Sequence, residues 1–473
     1  MDPRDDELMA DFHRLIQRMN RMPEPVATTL TPLGEIIREH LGEDPAGLPL
    51  VSEPVLPHRL VDADIALDAL SADDPDARTV GIRGGHHLRH EDFTGIIVSP
   101  YARIEAGPVE YVSTATGPGT SRQTKTTALR LFRHAGSPVA VLQRGSDPRS
   151  GREGAQLEVL AADAEAANAL LAETRRRMNE MSVVRGNVVS FARGEYGEGV
   201  GGITFLERPK VSADDVVLPD GLLTRIRDHV VGIGENAAEL RARGQHLKRG
   251  VLLYGSPGTG KTLTIRHLIA QTPGTTVVLL QGAALGLIGM AAQLARAMSP
   301  ALVVLEDVDL VAADRGDYGL QPLLFEVLDA LDGLDGDADV AFVLTTNRAE
   351  ILEPALAARP GRVDLALEIP LPDLPARSRL FQVYGGDLPL SAAALDTAAE
   401  RADGVTASFV KEVIRRAVLR AVGEDRDVTD DDLDVVLTAM LDDSRGISRV
   451  LFGGDAAADV ADGHGAAEFG MFD

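Results

Sequence analysis

The chain has no cysteine, and only five of its 473 residues are lysine against 42 arginines. The missing thiols exclude disulfides, thiolate metal sites and cysteine nucleophiles, and they suit a reducing cytosol. No apolar run approaches the roughly eighteen residues of a membrane span. The N-terminus, MDPRDDEL, is acidic rather than signal-like. Positive charge is scarce overall: the net charge is −25 and the isoelectric point lies near 4.8. Such a surface repels nucleic acid, so a DNA or RNA contact would need a local basic patch. A cytoplasmic protein without a membrane or nucleic-acid partner is the expectation, with length for two or three domains.

What is present begins with residues 255–262, GSPGTGKT. Glycines at 255, 258 and 260 precede Lys261 and Thr262, which fits the full phosphate-loop pattern. The preceding segment, residues 250–254, reads as a short buried strand, and the following one, residues 263–270, has helical spacing. Gly258 and Gly260 let backbone N–H groups turn inward around a phosphate. The helix that starts there presents its positive end to the anion. Lys261 adds a full charge toward the β- and γ-phosphates, and the Thr262 hydroxyl can ligate Mg²⁺. With so few lysines in the chain, one at this position is unlikely to be incidental.

Three later segments narrow the chemistry. Ala301–Leu305 is an apolar run ending in Glu306-Asp307. A buried strand that delivers carboxylates at its C-terminal edge can bring one acid to Mg²⁺ and another to the attacking water. A second apolar strand, Val340–Thr345, ends at Thr346-Asn347. An amide there can position water against a γ-phosphate, although alone it reads as a turn residue. Then come Leu352-Glu353-Pro354-Ala355-Leu356 and a stretch carrying Arg359, Pro360, Gly361 and Arg362.

Together these segments resemble the AAA ATPase family, over about residues 216–445, with the TNR, LDPA-like and RPGR elements of its second region of homology. The resemblance implies ATP and Mg²⁺ as cofactors. It makes Gly255, Ser256, Pro257, Gly258, Thr259, Gly260, Lys261, Thr262 and Leu263 the Walker A nucleotide-binding loop. Glu306 and Asp307 would be the Walker B acids, with Glu306 joining Thr262 on the metal side and Asp307 polarising water. Asn347 would be sensor one, and Arg359 and Arg362 would be arginine fingers reaching a neighbouring subunit's γ-phosphate. Fingers aimed outward act only in a ring, so the resemblance implies a homo-oligomer, by family a hexamer. Gly404–Val410 looks like the start of the sensor-two helix, but Ala407 offers no charge there.

The chain departs from the family in three places. Most members read Asp-Glu at the Walker B end; this chain reads Glu-Asp, as does the mitochondrial AAA translocase of the Rieske iron–sulfur protein. Residues 216–223, VVLPDGLL, resemble that branch as well. The swap moves each carboxylate by about one CH₂, or ~1.5 Å. An active ATPase is expected, slowed where that swap misplaces an oxygen. At the position of the substrate-gripping pore loop, an aromatic-hydrophobic-Gly in ring translocases, the chain has Leu287-Ile288-Gly289. This is either an aliphatic grip or a buried helix face. No HExxH follows, which excludes the zinc-protease branch.

The expected fold is α/β: a parallel-sheet nucleotide-binding core at 216–374 with an all-helical lid at 375–445, preceded by an α+β N-terminal domain at 1–185. Residues 186–215 form a hairpin or linker, and 446–473 an acidic, disordered tail. In the N-terminal domain, helical spacing appears at 6–22, 33–41 and 163–181, and strand-like runs at 95–98, 126–132 and 139–142. Weaker signals have bland alternatives. The cluster of His86, His87 and His90 reads as a surface loop more readily than a metal site. Arg175-Arg176-Arg177 reads as a solvated helix face. The net basic run with Arg122, Lys125, Arg130 and Arg133 reads as an exposed strand face or a contact for a partner or phosphate. The function expected is a ring ATPase that remodels a protein chosen by the N-terminal domain. Two alternatives stand beside it: a slow nucleotide-gated assembly switch, and an ATPase acting on nucleic acid.

Overall fold

A computed structural model describes residues 29–84, 92–99, 103–147, 152, 154–193, 200–309, 338–348 and 363–452. The chain divides into two compact units, residues 1–207 and 208–473.

Unit 1 is an antiparallel sheet between helices. Its elements run α1 (Pro32–Leu41), β1 (Leu50–Val55), α2 (Leu60–Ser71), β2 (Arg78–Arg83), α3 (Phe93–Ile97), β3 (Glu105–Gly107), β4 (Glu110–Gly117), β5 (Thr120–His134), β6 (Ser137–Arg144), β7 (Ala155–Ala161), α4 (Ala164–Glu180), β8 (Val188–Arg193) and β9 (Val200–Leu206). Strand order is β1-β7-β6-β5-β2-β3, with β4 also paired to β5. Side chains alternate between sheet faces. Phe132, Val139, Val141, Leu157 and Val159 therefore pack with α2 and α4, whereas Leu129, Leu131, Ala140, Leu142 and Leu160 pack with α1 and α3. α1 begins at Thr31, whose hydroxyl accepts from Gly34 N at 3.0 Å. β8 and β9 form an antiparallel hairpin.

Two expectations for this unit are corrected. Residues 95–98 are not a strand: Asp92 accepts from Gly95 N at 2.7 Å and caps a short helix that buries Ile96 and Ile97. The basic run is not a free cationic face either. Arg122, Lys125 and Arg130 close on Asp64 and Asp68 of α2, the last through bonds of 2.5 and 3.0 Å. Arg175–Arg177 pair with Glu53, Glu173 and Glu180 on an α4 face. The histidine cluster at 86–90 lies outside the described residues.

Unit 2 contains a parallel sheet of β10 (Arg249–Tyr254), β11 (Thr276–Gln281), β12 (Ala301–Glu306), β13 (Val340–Thr346) and β14 (Leu365–Glu368) in the order β14-β10-β13-β12-β11. Each neighbouring pair in this set is parallel. β12 and β13 are buried at every residue, the near-continuous apolar pattern of a strand covered on both faces. α5 (Leu222–Arg227), α6 (Lys261–Ala270) and α7 (Ile288–Ala297) belong to this α/β part. α7 buries Ile288, Ala291, Ala292 and Ala295 at i, i+3, i+4 and i+7. Ile288 is thus a core residue of an amphipathic helix and does not project as a grip; Leu287 is half-buried and Gly289 exposed.

Four helices follow: α8 (Leu374–Gly385), α9 (Ala392–Arg401), α10 (Ala407–Gly423) and α11 (Asp430–Phe452). Asp373, Ser391 and Thr406 cap the first three, each accepting from a backbone N–H three residues on. Their apolar faces share one core around Phe381, Val410, Val413 and Leu437.

Candidate functional site

β10 ends at Tyr254 and the chain turns through residues 255–260 into α6. Gly255 has φ +148°, and a Cβ there would lie 2.2 Å from the Ile369 carbonyl oxygen. Gly258 has φ +79°, and its Cβ would meet Ser408 Oγ at 2.8 Å. Both positions require glycine, one for passage along β14's continuation and one for contact with the start of α10. Ser408 N donates to Gly258 O at 3.0 Å, which docks the helical lid directly on the loop.

Lys261 is 6% exposed and donates to Gly255 O at 2.8 Å, Ser256 O at 3.0 Å and Asn347 Oδ1 at 2.8 Å. Burial pushes its ammonium below the ordinary lysine range, against the pull of the Asp307 and Asp309 charges. Its partners are all neutral oxygens. Such a cation keeps its charge available to an anion entering the loop.

The strand ends supply the remaining groups. Asp307 has φ +50°, a left-handed conformation uncommon outside glycine. Its N–H donates to Thr345 Oγ1 at 3.0 Å, which holds the turn. Asn347 links the two sides of the site: its amide oxygen takes Lys261, and its Nδ2 donates to Asp307 Oδ1 at 3.3 Å. Asp309 fixes Asn347 from behind, accepting from Asn347 N at 3.1 Å and Thr346 Oγ1 at 3.0 Å. Glu306 points elsewhere. It accepts from Gln281 Nε2, its register partner on β11. Burial, with the Asp307 charge, pushes its carboxyl above the usual range.

These groups open on a cavity of about 470 Å³. Pro257–Leu263, Arg266, Asp307 and Asn347 line its polar end; Val216, Val217, Leu218, Leu380, Tyr384 and Ala407 line its apolar end. Gly255 and Ser256 lie behind it as the carbonyls that hold Lys261. A positive, N–H-lined end beside an apolar slot fits a nucleotide: phosphates on the loop, base against the aliphatic wall. Thr262 is exposed at the polar end. The loop, Asp307 and Asn347 are therefore brought together, with Glu306 one residue away on the strand. Arg359 and Arg362 lie outside the described residues.

Sequence reasoning missed several members. Gln281 orients Glu306 and is visible only once β11 and β12 pair in register. Thr345 and Asp309 act through the turn that follows β12. Lys411 reaches the cavity from α10 and stands 6.0 Å from the Tyr384 ring centroid. It lies four residues after Ala407, on the same helix face, so helical spacing could have revealed a charge near the position where Ala407 has none.

Residues 251–371 match the model of the AAA family, ATPases associated with various cellular activities. The chain is similar to the proteasome-activating nucleotidase of Methanopyrus kandleri, 33% identical over 237 residues, covering 47% of this chain and 54% of the relative. It is also similar to that of Archaeoglobus fulgidus, 31% identical with 52% and 63% covered. The protein of the same name from Methanothermobacter thermautotrophicus is 30% identical, with 51% and 62% covered. The chain thus spans between about half and two-thirds of the length of these curated relatives.

Proposed function

We propose, from the premise that this chain carries an ATPase domain of the AAA family, that it binds ATP with Mg²⁺ and hydrolyses it in a homo-oligomeric ring, by family a hexamer, that remodels a protein substrate. The observation that carries this reading is Asn347, which joins the buried Lys261 to Asp307 across the mouth of the phosphate loop. A triphosphate on the loop would draw Lys261 away from the neutral oxygens it now holds. Asn347 would then be free to orient water, and Asp307, which faces the cavity, would accept the proton from that water. Thr262, and Glu306 once it releases Gln281, would hold Mg²⁺, which when bound neutralises charge on the β- and γ-phosphates. Arg359 and Arg362 would be offered to the neighbouring subunit, where such an arginine raises turnover by about 10³–10⁵ in GTPases.

The relatives' name, proteasome-activating nucleotidase, supports a nucleotidase that serves protein handling, with unit 1 selecting the substrate and half-buried Leu287 with exposed Gly289 left for any pore contact. Among the described residues no helix is long and apolar enough to cross a membrane. Steady-state hydrolysis assays on the wild type and Asp307→Asn test the reading. Magnesium-dependent turnover that Asp307→Asn removes, with nucleotide binding retained, is expected; a wild type without turnover overturns it.

One observation favours a second reading, the slow nucleotide-gated assembly switch. Glu306 is tied to Gln281 and its carboxyl is pushed up by burial, which weakens it as a metal ligand. Sedimentation with and without ATP separates the two readings. ATP-dependent assembly with turnover near background would select the switch.

A further inference from the structure

We propose that unit 1 binds an uncharged, apolar stretch of extended polypeptide in the pocket between the 57–61 turn, β4 and β9, with His58 bonding the bound backbone. The proposal rests on the reading of unit 1 as the substrate-selecting half and names what that half recognises. The pocket holds about 410 Å³, within the ~300–1,000 Å³ range of ligand sites. Its walls come from Leu60 and Val61 of α2, Val112 of β4, and Ile203 and Phe205 of β9.

Three features define the occupant. Among the described residues none of the sixteen that line it is charged, in a chain where 25% of residues are. A charged ligand would enter without a counter-ion, at a desolvation cost. Neither ring nitrogen of His58, both buried, has a hydrogen-bond partner among the described residues, and the ring meets Phe191 edge-on. Burial, helped by the charge of Arg59, lowers this imidazole to about 4, so it is neutral near pH 7. A neutral imidazole offers one donor and one acceptor, and a peptide unit supplies the complementary C=O and N–H. Val112, a lining residue, is 47% exposed and leaves the apolar wall open to a ligand. An α-helix, about 10 Å across with its side chains, is too bulky for this space; an extended segment can thread side chains into it.

Calorimetric titration of the full chain with an acetylated, amidated hexapeptide of alternating leucine and serine tests the proposal. Saturable binding is expected, weakened about tenfold by His58→Phe, which keeps a planar ring but loses both polar atoms. Ser113→Trp, placed at an exposed lining position, should block the mouth and abolish binding. A peptide with aspartate in place of leucine should give no binding. Absence of wild-type binding at millimolar peptide overturns the proposal, as does wild-type affinity in His58→Phe, which stands as the decisive variant should Ser113→Trp not fold. Lys261→Ala keeps the two readings apart: it should lose ATP turnover and keep the peptide. A wild type that hydrolyses ATP and ignores the peptide overturns only the pocket.

Discussion

Arg130 in unit 1 and Lys261 in unit 2 are both buried cations, 0% and 6% exposed, and both sit beside two aspartates. Their bonding differs. Arg130 closes on Asp64 at 2.5 Å and Asp68 at 3.0 Å, with Gln143 at 2.6 Å on its other arm. Burial pushes the Asp68 carboxyl up, but its bonds from Lys125 and Arg130 outweigh that and hold it below the usual range. Lys261 instead bonds two backbone carbonyls and an amide oxygen, while Asp307 and Asp309 act on it only through space. A cation closed on carboxylates is scaffold, because an incoming anion would have to displace charges already matched. A cation held by neutral oxygens can exchange them for phosphate at little electrostatic loss. Residue types alone do not separate a structural cluster from a binding one; the nature of the partner oxygens does.

The largest effect expected is on the scaffold side. Arg130→Ala takes from buried Asp64 its shortest partner, leaving Lys125 at 3.3 Å and Arg122 at 3.6 Å, and should destabilise unit 1 by about 3 kcal/mol, the lower end for a broken buried pair. Denaturant melts should show this while nucleotide binding by unit 2 is unchanged. Replacing both charges, as Arg130→Met with Asp64→Leu, should recover most of the loss, since a well-packed apolar pair is often as stable as a buried ion pair. A loss of ATP binding in Arg130→Ala would break the contrast. Lys261→Ala should behave in the opposite way. Two charge-assisted bonds to phosphate at about 1.5 kcal/mol each predict roughly hundredfold weaker ATP binding by calorimetry, with little change in the melts.

Much of unit 2 was legible because its chemistry is local. The strand, glycine turn and helix around Lys261 are contiguous in the chain, and Glu306-Asp307 and Asn347 each end an apolar run. The all-helical character of the lid at 375–445 was legible as well. Unit 1 was less so: the short run Gly95–Val98 carries no period that separates helix from strand, and Asp92 decided it through one cap. The neutralisation of Arg122, Lys125 and Arg130 was invisible because Asp64 and Asp68 lie more than fifty residues away. Gln281 escaped for the same reason, since it meets Glu306 only across paired strands. Leu287-Ile288-Gly289 carried two readings because helical period and pore-loop composition overlap there; burial of Ile288 decides its part.

Gln281 sharpens the comparison from within unit 2, where a neutral donor holds a carboxylate. Burial raises the Glu306 carboxyl, and the Gln281 bond works against that rise. In Gln281→Ala the counteracting bond is gone, so Glu306 should protonate at higher pH. The acid limb of the turnover profile should move upward in pH, with kcat at pH 7 lowered several-fold, up to about tenfold for one charge-assisted bond. A profile unshifted from the wild type would show that Glu306 does not titrate in turnover.

His58 is the third case: a buried ionisable group whose ring nitrogens have no hydrogen-bond partner among the described residues. Its pKa is about 4 in the folded chain, against 6.5 for the free side chain. The folded pKa is the lower one, so below pH 6.5 the unfolded chain binds the extra proton and stability falls as pH drops toward 4. Between pH 7 and 5.5 the linkage amounts to about 1 kcal/mol. The urea midpoint of unit 1 should therefore fall more in the wild type than in His58→Phe over this range, by the equivalent of that 1 kcal/mol. Parallel pH slopes in the two proteins would mean that His58 is solvated or already bonded. A bound hexapeptide bonds the neutral imidazole and keeps its folded pKa low, so adding it should raise the midpoint at both pH values and leave that slope intact.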